Sequence, residues 1–229
     1  MSAILNTSLI EGALLSDWFK DLKNSQAFDV ERAIKLGVTL GETNYQIAQR
    51  LKNTLEISQR NAETLVITSA SAICNQARME FFNENSEVLK GWVYNAVLDT
   101  RTSALCRAYD NLKWDMNKKP IGHNLPFRQP PNQTHWRCRS TILPWLKSWK
   151  ELGIDEDEVP IGTRSSLDGY APQDMSFNDW LKRQSKERIE ETLGKGRAEL
   201  FLKGKITMRD LISQQGKTLS IAELKEKYS

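Results

Sequence analysis

Four residues of this chain have side chains suited to metal binding or nucleophilic chemistry and lie close together in sequence: Cys106, His123, His135 and Cys138. His135 and Cys138 are spaced as His-x-x-Cys, which lets one loop present two ligands to a tetrahedral zinc ion. Cys106 is the candidate third ligand, from a facing turn, and His123 or a water the fourth. The same residues allow a second chemistry, in which His135 draws the proton from Cys106 or Cys138 and the thiolate attacks. A third reading is structural. His135 and Arg139 then bond backbone carbonyls and Asp99, while the two cysteines pack as small apolar groups. No nucleophile elbow, zinc-protease helix or glycine-rich phosphate loop accompanies these residues. The acidic run Asp155-Glu156-Asp157-Glu158 reads as a solvated face, not as paired catalytic carboxylates.

The elements that must position these groups are short. Trp92 to Leu98 has strand composition without a cleanly polar face, which predicts a strand covered on both sides. Asp99-Thr100-Arg101-Thr102 follows as a turn, with Asp99 accepting from backbone amides two and three residues on. Arg101 is the candidate fork that ties this turn to a carboxylate or to carbonyls. Tyr109-Asp110-Asn111-Leu112 predicts a tight hairpin turn, since Asp and Asn tolerate positive φ. Lys113 to Gln133 is expected as a loop, punctuated by Pro120, Gly122, Pro126, Pro130 and Pro131. Lys113, Lys118, Lys119 and Arg128 make that loop basic, and with Arg137 they form a candidate contact for DNA phosphates. Thr141 to Pro144 is expected to return as a strand.

Taken together, Trp92, Asp99-x-Arg101-Thr102, Cys106, Asp110, Pro130-Pro131, His135-x-x-Cys138-Arg139 and Pro144 resemble the shared segment of the phage head-morphogenesis family, the Mu F-like minor head proteins. Three positions depart from that pattern. Ser103 stands where the first Cys is usual, Ser140 where the last Cys is usual, and Asn111 where the turn Gly is usual. In relatives, a Cys-x-x-Cys with a His-x-x-Cys supplies four metal ligands; with Ser103 here, that set is incomplete. Ile67-Thr68 also replaces an Arg-Thr pair usual ahead of the small-residue helix. Asn75 matches the family and is expected to bond towards the central segment. The resemblance implies a minor structural protein of a tailed-phage head, acting by recognition and not turnover. It implies association with the portal, with major capsid or scaffold proteins, and in some members with phage DNA. The expected location is the head interior or portal vertex, after assembly in the host cytoplasm.

The flanks read as helical. Leu14, Leu15, Trp18, Phe19 and Leu22 predict a helix from about Ser16, and Val30 to Leu36 a second short one. Thr43 and Gln46 form a capping box that opens a helix expected to reach about Asn83, with a break near Asn53-Thr54. Its apolar ladders are Ile47, Leu51 and Leu55, then Val66, Ala70, Ile73, Ala77 and Phe81. Cys74 is expected to be a small buried hydrophobe. Downstream of an acidic and then glycine- and serine-bearing arm, Ser176-x-x-Asp179, Thr207-x-x-Asp210 and Ser220-x-x-Glu223 predict capped helices, with Gly194 and Gly204 as stops.

The chain has 229 residues, 39% hydrophobic and 27% charged, with a formal net charge of +3. That balance excludes a histone-like grip on nucleic acid. The first residues lack the charged start and apolar run of a signal peptide. The longest uncharged stretch, 64–77, is too short and polar to span a bilayer. Three cysteines fit a reducing compartment. The expected fold class is α+β, mainly α. An N-terminal helical region (1–90) leads into a central antiparallel β motif (91–146), a linker or arm (147–175) and a helical C-terminal tail (176–229). Two further classes are carried beside the head protein: an internal DNA-contacting virion protein, and a hydrolase or transferase domain using Cys106 and His135.

Overall fold

The computed structural model describes residues 9–10, 13–14, 24–55 and 58–228. The helix expected from about Ser16 lies outside the described residues. The architecture is α+β and mainly helical; the described residues form a small four-stranded antiparallel sheet and two two-stranded antiparallel pairs. The chain divides into two compact units. One comprises the residues up to Asn83 together with Arg128–Arg139, and the other comprises Glu84–Phe127 with Ser140–Ser229.

In the first unit, strands β1 (Leu9–Ile10) and β2 (Ala13–Leu14) pair antiparallel. Three helices follow: α1 (Asn24–Thr39), α2 (Asn44–Leu55) and α3 (Gln59–Glu84). Helix α1 is longer than the Val30–Leu36 segment expected, because Gly37 does not stop it. Gly37 instead permits close approach: a Cβ there would lie 2.4 Å from Ile47 Cγ1. The stop comes at Gly41, where φ is +67°. The capping box at α2 forms as read, with the Thr43 amide donating to Gln46 Oε1 at 2.8 Å and the Gln46 amide to Thr43 Oγ1 at 3.3 Å. Ile47, Leu51 and Leu55 are buried and pack with Val30, Ile34 and Val66.

Helix α3 buries a different stripe from the one its apolar residues predict. Ala62, Val66, Thr68, Ser69, Ala72, Asn75 and Met79 are buried, while Ala77, Phe81 and Cys74 are exposed. The reason is what α3 packs against. The Arg128–Arg139 segment brings backbone polar groups to the helix, and these need partners when buried. Small hydroxyl side chains supply them, so the polar stripe turns inward and Cys74 turns out.

The second unit is built on a four-stranded antiparallel sheet in the order β5-β4-β3-β6. Its strands are β3 (Leu89–Asn95), β4 (Lys113–Asp115), β5 (Pro120–Ile121) and β6 (Thr141–Leu146). Part of the expected 113–133 loop is therefore a hairpin, turned by Lys118 at φ 62°. Pro120 is tolerated because β5 is an edge. Trp92 pairs with Trp114 across one side and Pro144 across the other. Gly91 sits beside a register shift, and a Cβ there would meet the Trp114 carbonyl oxygen at 1.9 Å. Backbone cannot yield as a flexible side chain can. Gly91→Ala is expected to lower stability by about 3 kcal/mol, at the upper end for an overpacked site, read as a shift of the urea midpoint.

The arm at 147–175 is not a bare linker. It holds a hairpin of β7 (Thr163–Ser166) and β8 (Gly169–Pro172), and Leu98 bridges to Ser166 in parallel. Helices α4 (Ala104–Tyr109), α5 (Phe177–Lys182), α6 (Lys186–Leu193), α7 (Lys195–Leu202) and α8 (Ile221–Tyr228) complete the unit. The single helix expected between Ser176 and Gly194 is split, because Ser185 accepts from the Arg188 amide and caps a new start. Gly194 and Gly204 take positive φ where stops were read. The Thr207–Asp210 box closes, but over a short 3₁₀ turn, Met208–Leu211. Phe177, Trp180, Leu181, Leu193, Phe201 and Leu211 form one core with Leu98.

Candidate functional site

The motif residues named from sequence fall into both units. In the sheet-bearing unit, Trp92 is 1% exposed on β3. The turn after it forms through Asp99. The Arg101 amide donates to Asp99 Oδ1 at 3.0 Å, and the Thr102 hydroxyl bonds both Val97 O at 2.6 Å and Asp99 Oδ1 at 3.1 Å. Three residues on, the Thr102 amide also donates to the Asp99 backbone carbonyl at 3.4 Å, so Thr102 reaches Asp99 through both its hydroxyl and its amide. Arg101 does not act as the fork. Its side chain is 79% exposed and its Nε lies 3.9 Å from Asp99 Oδ2.

Two arginines that sequence reasoning passed over hold this region. Arg107, buried on α4, donates to Thr192 O at 2.6 Å and Thr100 O at 2.9 Å and lies over the Phe177 ring. Burial lowers its pKa to about 10, which leaves it charged at neutral pH. Arg164 lies in the stretch read as a linker. Its side chain is 5% exposed and that of its partner Asp110 is 1% exposed. The guanidinium grips both Asp110 oxygens, at 2.8 and 3.1 Å, and also bonds the carbonyls of Ala96 and Met175. Asp110 further accepts from the amides of Ala96 at 2.8 Å and Phe177 at 2.7 Å. One carboxylate therefore joins the strand end, the β7–β8 hairpin and the start of α5. The available signal for Arg164 was a single basic residue between the acidic run and a Gly-containing turn.

Asn111, beside it, has φ 59° and donates to Asp174 O at 2.7 Å. This left-handed residue links helix α4 to β4, so the segment is a helix-to-strand turn and not a hairpin between two strands. Ser103, where a relative's Cys is usual, caps α4 by accepting from the Cys106 amide at 3.2 Å. Cys106 is buried, with Sγ 3.2 Å from the Tyr94 hydroxyl. Ser140 is buried too.

His123 uses both ring nitrogens on backbone: Nε2 is 2.9 Å from Lys113 O, and Nδ1 accepts from the Leu125 amide at 3.2 Å. That sets the tautomer and leaves no ring nitrogen for a metal. Burial of the imidazole also lowers its pKa. Lys113 lies 4.7 Å from the Trp145 ring centroid and Lys118 5.2 Å from that of Phe127, and Lys119 is exposed.

In the helical unit, Pro130-Pro131 is a cis bond and the loop is tied to α3. The Arg137 amide donates to Thr68 Oγ1 at 3.0 Å, and Ser71 Oγ donates to Cys138 O at 3.2 Å. Asn75 donates to Ser71 O at 2.9 Å, within its own helix. Arg137 faces Glu63 at 3.4 Å and Arg128 bonds Gln133 O at 3.0 Å. Arg139 is exposed. His135 bonds the Trp136 carbonyl through Nδ1 at 2.9 Å, and a ring nitrogen and the buried Cys138 Sγ lie within 4.8 Å of each other. The five basic residues named for DNA are thus divided: Lys113, Lys118 and Lys119 in one unit, Arg128 and Arg137 in the other. The cysteines form no disulfide among the described residues, and no described helix is long and apolar enough to cross a membrane.

Several carboxylates of the sheet-bearing unit are held below their usual range. A hydrogen bond from Lys90, then the Ser148 amide and hydroxyl, lowers Glu151 to about 2. At Asp168 burial pushes upward, and bonds from Gln184, Trp180 and Arg188 outweigh it, so the net direction is down. A carboxylate whose folded pKa is depressed stabilises above its unfolded pKa and loses that stabilisation as pH falls through the folded value. The urea midpoint is expected to hold from pH 7 to about 5 and to fall below about 4, with Asp168→Asn flattening part of the fall.

No curated protein and no solved structure matches the chain. The family described as Phage Mu protein F like protein matches residues 28–143, just over half of the chain. That span runs from within helix α1 through both halves of the motif to strand β6, and the chain belongs to this family of phage head-morphogenesis proteins.

Proposed function

We propose that the protein is a minor structural component of a tailed-phage head, seated at the portal or in the procapsid interior, and that it acts in head assembly and in packaging or ejection of DNA. The observation that carries this reading is how the motif's polar residues are used. Asp99, Thr102 and Asp110 are spent on backbone and on buried cations, which makes a rigid body suited to recognition. The test is reconstitution with the portal protein of the same phage. Co-sedimentation with portal rings, and loss of the protein from heads assembled without portal, are the expected results. Heads that recruit it equally well without portal overturn the portal assignment. Salt-sensitive binding to DNA in the absence of portal would favour the DNA-contacting reading instead.

We further propose zinc as a structural ligand of the motif. The donors are His135 and Cys138, paired on one loop as His-x-x-Cys. His123 is left out because its ring nitrogens are committed. Zinc bound there would contribute folding free energy. About one zinc per chain in the purified protein, and a marked drop in Tm with a chelator, are expected. Metal-free protein with an unchanged Tm leaves these residues as packing groups.

A further inference from the structure

The face of the sheet opposite the buried Trp92, Tyr94 and Ile142 floors a groove of about 940 Å³. Val93, Lys113, Leu143 and Trp145 lie on the floor, and the segment Glu158–Gly162 forms a wall. Around it, Leu146, Val159 and Ile161 are 57%, 68% and 69% exposed, and Ile154 is 40% exposed. Such a contiguous apolar patch differs from scattered surface hydrophobes.

The charges there are unevenly committed. Glu151 pairs with Lys90, and Glu158 accepts from the Trp149 amide at 2.8 Å. Lys113 and Lys147 make no ion pair among the described residues. Lys113 rests on Trp145, and Lys147 Nζ donates to the Glu87 carbonyl at 2.5 Å. Asp174 is the remaining carboxylate at the groove. Immediately beside the wall, Asp155, Glu156 and Asp157 are exposed and make no ion pair among the described residues. They lie between exposed Ile154 on one side and exposed Val159 and Ile161 on the other. One unit thus carries an apolar groove with unpaired lysines and, next to it, an apolar segment with unpaired carboxylates. Self-complementary halves side by side are what a two-fold interface between identical chains requires.

We propose that this face is a homodimer interface, in which the acidic segment 154–161 of each protomer lies in its partner's groove against Lys113 and Lys147. The apolar residues supply the burial, and the charges set register and specificity.

The test is sedimentation equilibrium of the full chain over a range of concentrations, at low and high salt. A dimer that weakens with salt is expected. Two charge-reversed chains, Lys113→Glu/Lys147→Glu and Asp155→Lys/Glu156→Lys/Asp157→Lys, are each expected to dimerise at least about tenfold more weakly. Mixed together they should pair with each other, because each offers what the other lacks. All substituted side chains are exposed or half-buried, and an unchanged Tm verifies folding; Ile161→Asp, at an exposed site, is a third variant that should abolish pairing. A wild-type chain that stays monomeric throughout overturns the proposal. So does a dimer that survives all three variants, or a folded charge-reversed pair that fails to associate.

Discussion

Asp110→Ala is expected to lower stability by about 3–5 kcal/mol, the range for removing one partner of a buried ion pair. The cost arises because the Arg164 guanidinium loses its carboxylate partner in a site where its side chain is 5% exposed. Two backbone amides, Ala96 and Phe177, lose their acceptor as well. Arg164→Met is expected to cost a similar amount, since it strands a carboxylate that is even less exposed. The double variant Asp110→Leu/Arg164→Met separates two terms. It removes both charges, so it should recover more than the sum of the single losses predicts, as coupled neighbours do. It should not return to wild type, because the two amides remain unsatisfied, at roughly 1–3 kcal/mol each. Urea midpoints of the four chains give the coupling. Additive losses would show that Asp110 serves the amides alone.

Trp114→Ala is the second large effect, expected at about 3–5 kcal/mol for deleting a buried aromatic side chain. Trp114 is 0% exposed and stacks on Tyr109 at 5.8 Å between centroids. His123 and Phe127 meet it edge-on at 4.8 and 5.6 Å, and its Nε1 donates to Leu125 O at 3.0 Å. Trp114→Phe keeps an aromatic body and loses the donor, so it should cost less, about 1–3 kcal/mol for the orphaned carbonyl and lost volume. Equal midpoints for the Ala and Phe variants would mean that the hydrogen bond, and not the ring, holds this hairpin.

These two sites mark where sequence reasoning and structure part. Trp114 falls in a stretch that reads as a proline-punctuated loop, because β4 and β5 are only three and two residues long. No alternation can be detected over so short a span; the strands exist because β3 offers them an edge. Arg164 falls in a stretch that reads as a flexible arm, because its charge has no periodic context. Its role follows from Asp110, which lies fifty-four positions away in sequence. The same holds on α3, whose buried face is set by the backbone of a loop sixty-seven residues on and not by its own apolar spacing.

What the sequence by itself determined is local. The capping box at Thr43, the caps at Ser176 and Ser220, the stops at Gly194 and Gly204, and the Asp99 turn are each closed by groups within a few residues, so residue type and spacing suffice. Family membership was legible for a related reason, since the motif is a string of such local devices. Only the tertiary structure decided which cations are buried, which face of α3 turns inward, and that His123 is committed to backbone. Those outcomes depend on pairing polar groups distant in the chain. The free energy of leaving such a group unpaired, about 1–3 kcal/mol each, exceeds the few tenths that separate local preferences.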